Sequence, residues 1–171
     1  MKDLRRAWVR ATGRNSAHWC ISAVTAEIDL LAYASMTETD TSISISEAVT
    51  EGVRVSVRAR YSPEHSSPQQ SQWFFLYTIT IANESDQNVK LLNRNWLILD
   101  ATGKCEEVHG PGVVGEQPAL SPGQAFEYTS GCPLSTPFGS MSGTYEMSRE
   151  DGTQFEAEVR LFQLREPHAI H

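Results

Sequence analysis

The chain has 171 residues, with 14 Lys plus Arg against 21 Asp plus Glu and a formal net charge of -7. That length fits one domain with an extension, large enough to fold without metal or disulfides. The acidic balance argues against a general nucleic-acid binder, no apolar run approaches the roughly 18 residues of a membrane helix, and three cysteines are too few for a secreted disulfide framework. The expectation is an intracellular protein, cytoplasmic by default, with mitochondrion and plastid as alternatives.

The charge is unevenly placed. Up to Ser46, five basic and five acidic residues balance; the remainder carries 9 basic and 16 acidic residues. Arg5, Arg6, Arg10 and Arg14 make residues 1–14 a basic tip, with Leu4, Trp8 and Ala11 at helical spacing. Such an Arg-rich, acid-poor start suits a transit peptide; the alternative is a helix that packs on the domain or docks on a partner, RNA included. Trp19, Ile21, Val24, Ile28, Leu31 and Tyr33 continue as one or two amphipathic helical turns. Residues 37–47, TETDTSISISE, form a polar linker, or a linker that ends as an edge strand. The boundary falls near Val49, giving an extension over 1–48, a domain over 49–165 and a tail over 166–171.

From Val49 the period changes to two. In VRVSVRARY, Val53, Val55, Val57, Ala59 and Tyr61 share one face, while Arg54, Ser56, Arg58 and Arg60 share the other. Residues 62–72 form an exposed loop. WFFLYTITIAN reads as a central strand with Trp73, Phe75 and Tyr77 on its core face. VKLLNRNWLILD follows as a strand bent near Asn93, then CEEVHG, QAFEYTSGC, MSGTYEM and QFEAEVRLFQL, the last two joined by an Asp151-Gly152 turn. Seven or eight short strands without a helical period predict an antiparallel β-sandwich. The turn Ser121-Pro122-Gly123 before Tyr128 suggests a tyrosine corner of the immunoglobulin or fibronectin type, its hydroxyl bonding upstream backbone.

Gly110-Pro111-Gly112-Val113-Val114-Gly115 is formally G-x-G-x-x-G, but a dinucleotide site needs a helix after the last glycine, and Pro118 and Pro122 forbid one. Two readings remain. The loop is structural, its glycines permitting positive φ and close strand approach, or its N–H groups form an anion nest for phosphate. Glu106, Glu107 and Glu116 disfavour the second.

The blocks GVRVSV, LLNRNWLILDATGK, GPGVVG, LSPGQAFEYTSGCPL, TPFGSMSGTY and FEAEV together resemble the ApaG domain, from about Val49 to Leu164. The resemblance implies an immunoglobulin or fibronectin type III-like sandwich without a known catalytic centre, found alone in bacteria and as a protein-binding module in eukaryotic proteins. It also implies a pyrophosphate site at Gly110, Gly112 and Gly115 as the alternative.

The ionisable residues offer no convergent catalytic set. His168 and His171 form an H-x-x-H in a terminal tail, Cys132 has no nearby base, and Glu106 and Glu107 alternate to opposite faces. No cofactor and no metal are expected. The reading is a non-enzymatic protein-interaction module, with Arg5, Arg6, Trp8, Arg10, Trp19, Ile28, Arg54, Arg58 and Arg60 as candidate partner-binding residues. A phosphate, pyrophosphate or nucleotide site at Gly110, Gly112, Val113, Val114 and Gly115 is the alternative.

Overall fold

The alternating apolar residues of VRVSVRARY form strand β2 (Val53–Tyr61), and those of WFFLYTITIAN form β3 (Trp73–Asn83). Their inward side chains Val53, Val55, Val57, Phe75, Ile79 and Ile81 are all at or below 1% exposure, so period two translates directly into one buried face. The computed structural model describes residues 43–168. The readings made on residues 1–42 and 169–171 lie outside the described residues, among them Arg5, Arg6, Trp8, Arg10, Trp19 and Ile28.

The other strands are β1 (Ser44–Thr50), β4 (Val89–Asp100), β5 (Cys105–Pro111), β6 (Ala119–Leu120), β7 (Ala125–Leu134), β8 (Phe138–Arg149) and β9 (Gln154–Arg165). They form two antiparallel sheets, ordered β1-β2-β3-β7 and β5-β4-β8-β9, with β6 paired to β4. This is the expected all-β sandwich. The bend expected near Asn93 is a register shift between Leu91 and Asn93. Trp96 sits at the centre, with its ring 6.0 Å from Tyr77, 5.8 Å from Tyr145 and 6.3 Å from Phe162. Edge-on aromatic packing of this kind adds to the area it buries. Among the described residues no helix is long and apolar enough to cross a membrane.

Two details differ from expectation. Strand pairing begins at Ser44, upstream of the boundary placed near Val49. On β1 the apolar residues Ile45 and Val49 face outward, and Ser44, Ser46 and Thr50 face the other sheet. Their hydroxyls meet the edge of β9: Ser46 donates to the Arg160 carbonyl at 3.0 Å, and the Glu158 and Gln163 amides donate to Thr50 at 3.1 Å and Ser44 at 2.9 Å. Side chains thus satisfy backbone groups on an edge that, among the described residues, no further strand covers. Replacing all three residues (Ser44→Ala, Ser46→Ala, Thr50→Val) is expected to cost about 1.5–3 kcal/mol, at about 0.5–1 kcal/mol per bond. Amide exchange at Glu158 and Gln163 should quicken by tenfold or more; unchanged exchange there would show that the hydroxyls do not hold this edge.

The second difference concerns Tyr128. Its hydroxyl lies 2.6 Å from that of Tyr145 across the core, instead of bonding upstream backbone as a tyrosine corner does. Both rings are buried, so each hydroxyl finds a partner that water cannot supply.

Candidate functional site

The glycine loop begins where β5 ends. Gly112 leaves the strand at φ +59, and a Cβ there would lie 2.1 Å from the Glu116 carbonyl oxygen. Val113 and Glu116 then exchange two backbone hydrogen bonds of 2.8 Å, closing a two-residue hairpin over Val114 (φ 46) and Gly115 (φ 85). Positive φ at both central positions is the pattern of a type I′ turn. Glycine adopts it freely; for β-branched Val114 it is strained, at a cost of about 1–3 kcal/mol.

Three of the loop's N–H groups are already engaged within the fold. The N–H groups of Gly112, Val113 and Glu116 already donate to the carbonyls of Leu92, Glu116 and Val113. The carbonyls of Pro111 and Gly112 instead receive Arg94 Nη1, at 3.1 and 2.7 Å. On this side the loop presents oxygen to a guanidinium, the opposite of what an anion nest presents.

Beneath the loop lies a cleft of about 150 Å³ between the sheets. It opens on the side where, among the described residues, β5 and β7 each pair with only one neighbour, opposite the stitched β1–β9 side. Tyr77, Trp96, Val113 and Met141 supply apolar wall, and Arg94, Glu106, Ser130 and Cys132 supply polar atoms. Glu106 turns into the cleft, whereas Glu107 is exposed, with a carboxylate oxygen 3.5 Å from His109 Nε2. Strand alternation separates the two carboxylates, as the sequence predicts.

Burial, aided by the Glu106 carboxylate, pushes the Cys132 thiol up to about 12. Burial also raises Tyr128 and Tyr145 well above the ordinary phenol range. These three groups hold their protons at neutral pH, so none serves as a nucleophile or base there. Among the described residues no group of three or more His, Cys, Asp or Glu could hold a metal. The cleft can enclose an apolar group of about benzene size beside an arginine.

A raised thiol value links to stability with a definite sign. The folded state keeps the Cys132 proton that the unfolded chain releases above its ordinary value of 9.0, so this contribution is full below pH 9 and is lost as pH rises toward 12. Between pH 7 and pH 10 the wild type should therefore lose about 1 kcal/mol more than Cys132→Ala in urea denaturation. Equal losses in the two proteins would contradict the burial of this thiol.

The arginine row of β2 divides. Arg54 bonds Glu84 at 2.7 and 3.0 Å and also pairs with Glu47, and these hydrogen bonds raise its pKa further. Arg58 and Arg60 are exposed and make no ion pair among the described residues. They share the outer face of the first sheet with Ile45, which pairs with Arg58 and is 69% exposed, and with Leu76, which pairs with Arg60.

Sequence reasoning missed the outer face of the second sheet. Leu97 and Leu99 are each 42% exposed, and Leu161 is 55% exposed. The signal was present in WLIL, which is apolar on both faces. Leu161 was hidden by a bulge, because Val159 and Phe162 both point inward and Arg160-Leu161 together oppose Ser142.

The fold and the loop define a class: an antiparallel sandwich carrying a Gly-Pro-Gly-Val-Val-Gly hairpin over an inter-sheet cleft. The ApaG domain model matches residues 63–149. The ApaG protein of Methylorubrum populi is 51% identical over 122 residues, 71% of this chain and 94% of that protein. ApaG of Anaeromyxobacter dehalogenans is 50% identical over 127 residues, 74% of this chain and 100% of that protein. The crystal structure of an ApaA protein from Bordetella pertussis superposes with a TM-score of 0.66 at 47% identity, covering 68% of this chain and 95% of that one. The chain belongs to the ApaG family.

Proposed function

We propose that the protein is a non-enzymatic protein–protein interaction module. It acts as a subunit or adaptor in a larger assembly, anchored in part by its N-terminal extension. The sandwich meets an acidic partner surface with the outer face of its first sheet. One observation carries this reading: Arg58 and Arg60 stand exposed and without an ion pair among the described residues, beside an outward-facing Ile45. In a domain with 16 acidic and 9 basic residues after Ser46, two adjacent uncompensated cations next to apolar surface suit recognition better than solubility. The acid excess disfavours a phosphate backbone as the sandwich's partner, because repulsion from the surrounding carboxylates would oppose it.

The test is a quantitative pull-down from cell extract with wild type, Arg58→Glu/Arg60→Glu and a control reversal, Lys104→Glu. The arginine pair variant should lose its main partner by tenfold or more, with the control unaffected. A partner set that the arginine reversal leaves intact contradicts the assignment of this face.

A further inference from the structure

Glu106 turns into the cleft between the sheets, and its carboxylate makes no hydrogen bond and no ion pair among the described residues. A half-buried carboxylate gives up part of its hydration, and here the described fold returns no donor for it. Its charge is felt on the opposite wall, where it acts on the Cys132 thiol of β7.

The cleft beside this carboxylate is apolar. Ile98 pairs with Glu106 and Trp96 pairs with Val108, and these three apolar side chains line the cleft together with Met141 of β8. Arg94 stands at the other end. It lies four residues along β4 from Ile98, about 13 Å of strand, and its Nη1 donates to the carbonyls of Pro111 and Gly112 beneath the hairpin. The cleft is therefore polarised along its length, positive under the glycine hairpin and negative at Glu106.

The hairpin supplies an independent sign. Val114 and Gly115 line the cleft, and Val114 is held there at φ 46, which a β-branched residue resists. Backbone strain of this kind clusters at ligand clamps, where the fold gives up stability for shape.

We propose that this cleft binds a small organic ammonium ion. Its apolar body, of about benzene size, packs among Trp96, Val108 and Met141, and its N–H groups donate to the Glu106 carboxylate. An apolar cavity of about 150 Å³ accepts a benzene-sized group. Hydrogen bonds between an ammonium and a carboxylate are roughly twice as strong as neutral ones. The volume is below the roughly 300–1,000 Å³ of sites for drug-sized ligands, which excludes a nucleotide, and Glu106 repels a carboxylate at its own end. This goes beyond the interaction reading and is independent of it, because the cleft and the arginine face of the first sheet share no residue.

The test titrates the isotope-labelled full chain at neutral pH with benzylamine, benzyl alcohol and benzoate, three probes with one apolar body and different charge. Benzylamine is expected to give saturable amide shifts at Val108, Ser130 and Cys132 and to bind at least tenfold more tightly than the other two. Glu106→Gln should weaken benzylamine by tenfold or more and leave benzyl alcohol within twofold. Glu107→Gln, a carboxylate exposed on the other face of the same strand, should leave all three probes unchanged. Absence of saturable shifts with benzylamine overturns the proposal, as does equal binding of benzoate; both readings come from the wild type and need no variant. Equal losses in Glu106→Gln and Glu107→Gln also overturn it, because they show attraction by surface charge alone.

Discussion

Gly112→Ala is expected to lower stability by about 3 kcal/mol or more, far beyond what Gly115→Ala does. At Gly112 a methyl group meets the Glu116 carbonyl oxygen at 2.1 Å, and the positive φ adds its own strain. That oxygen accepts the hairpin's closing hydrogen bond from Val113, so it cannot retreat without breaking the turn. At Gly115 nothing lies within 4 Å and only the backbone conformation resists, at about 1–2 kcal/mol. Urea midpoints of the two variants measure the difference, and equal midpoints would contradict the close approach. Any ligand affinity lost in Gly112→Ala would therefore report on the fold of the loop and not on a role in binding.

Gly143→Val should be at least as damaging. A Cβ at Gly143 would lie 2.0 Å from the Asn95 carbonyl oxygen and 3.0 Å from Trp96 Cε3. Gly143 pairs with Trp96 on β4 and with Val159 on β9, next to the bulge that re-aims Leu161. The valine would push β4 and β8 apart at the aromatic centre of the core, and overpacking of that kind costs about 1–3 kcal/mol before the backbone clash is added. A total above about 4 kcal/mol removes most of the stability of a domain near the lower end of the usual range of about 5–15 kcal/mol. Lost near-ultraviolet dichroism from the packed aromatics is the expected signature; a native spectrum with an unchanged melting temperature would refute the packing described for Trp96.

The contrast between β2 and β1 shows how far the sequence could be read. In β2 the inward residues are apolar and the outward ones polar, so alternation named both the strand and its core face. In β1 the pattern is inverted. Ser44, Ser46 and Thr50 point inward because their hydroxyls bond the edge of β9, a partner more than 100 residues away in sequence. Local alternation carries no sign of such a partner, so the sequence left residues 37–47 open between a linker and a linker that ends as an edge strand. Leu161 was lost for a related reason: one extra residue in β9 sets aside the two-residue period on which any facing argument depends. The glycine motif was legible in its exclusions, since its prolines ruled out the helix. The orientation of its N–H groups toward Leu92, Glu116 and Val113 is a tertiary fact. For the arginine row, composition marked three equivalent cations, and only the fold brought Glu47 and Glu84 to Arg54 while leaving Arg58 and Arg60 without an ion pair among the described residues.

The claim that the first sheet's outer face is the docking surface is tested most directly by mapping the contact on the isotope-labelled protein, using as titrant the main partner recovered in the pull-down. Amide shifts should concentrate at Ile45, Arg58, Arg60, Leu76 and Thr78, which lie side by side on β1, β2 and β3. They should collapse in Arg58→Glu/Arg60→Glu, and binding should weaken as salt is raised. Shifts confined to Val113, Val114 and Gly115, or to the cleft beneath them, would contradict the account and place the interaction at the glycine loop.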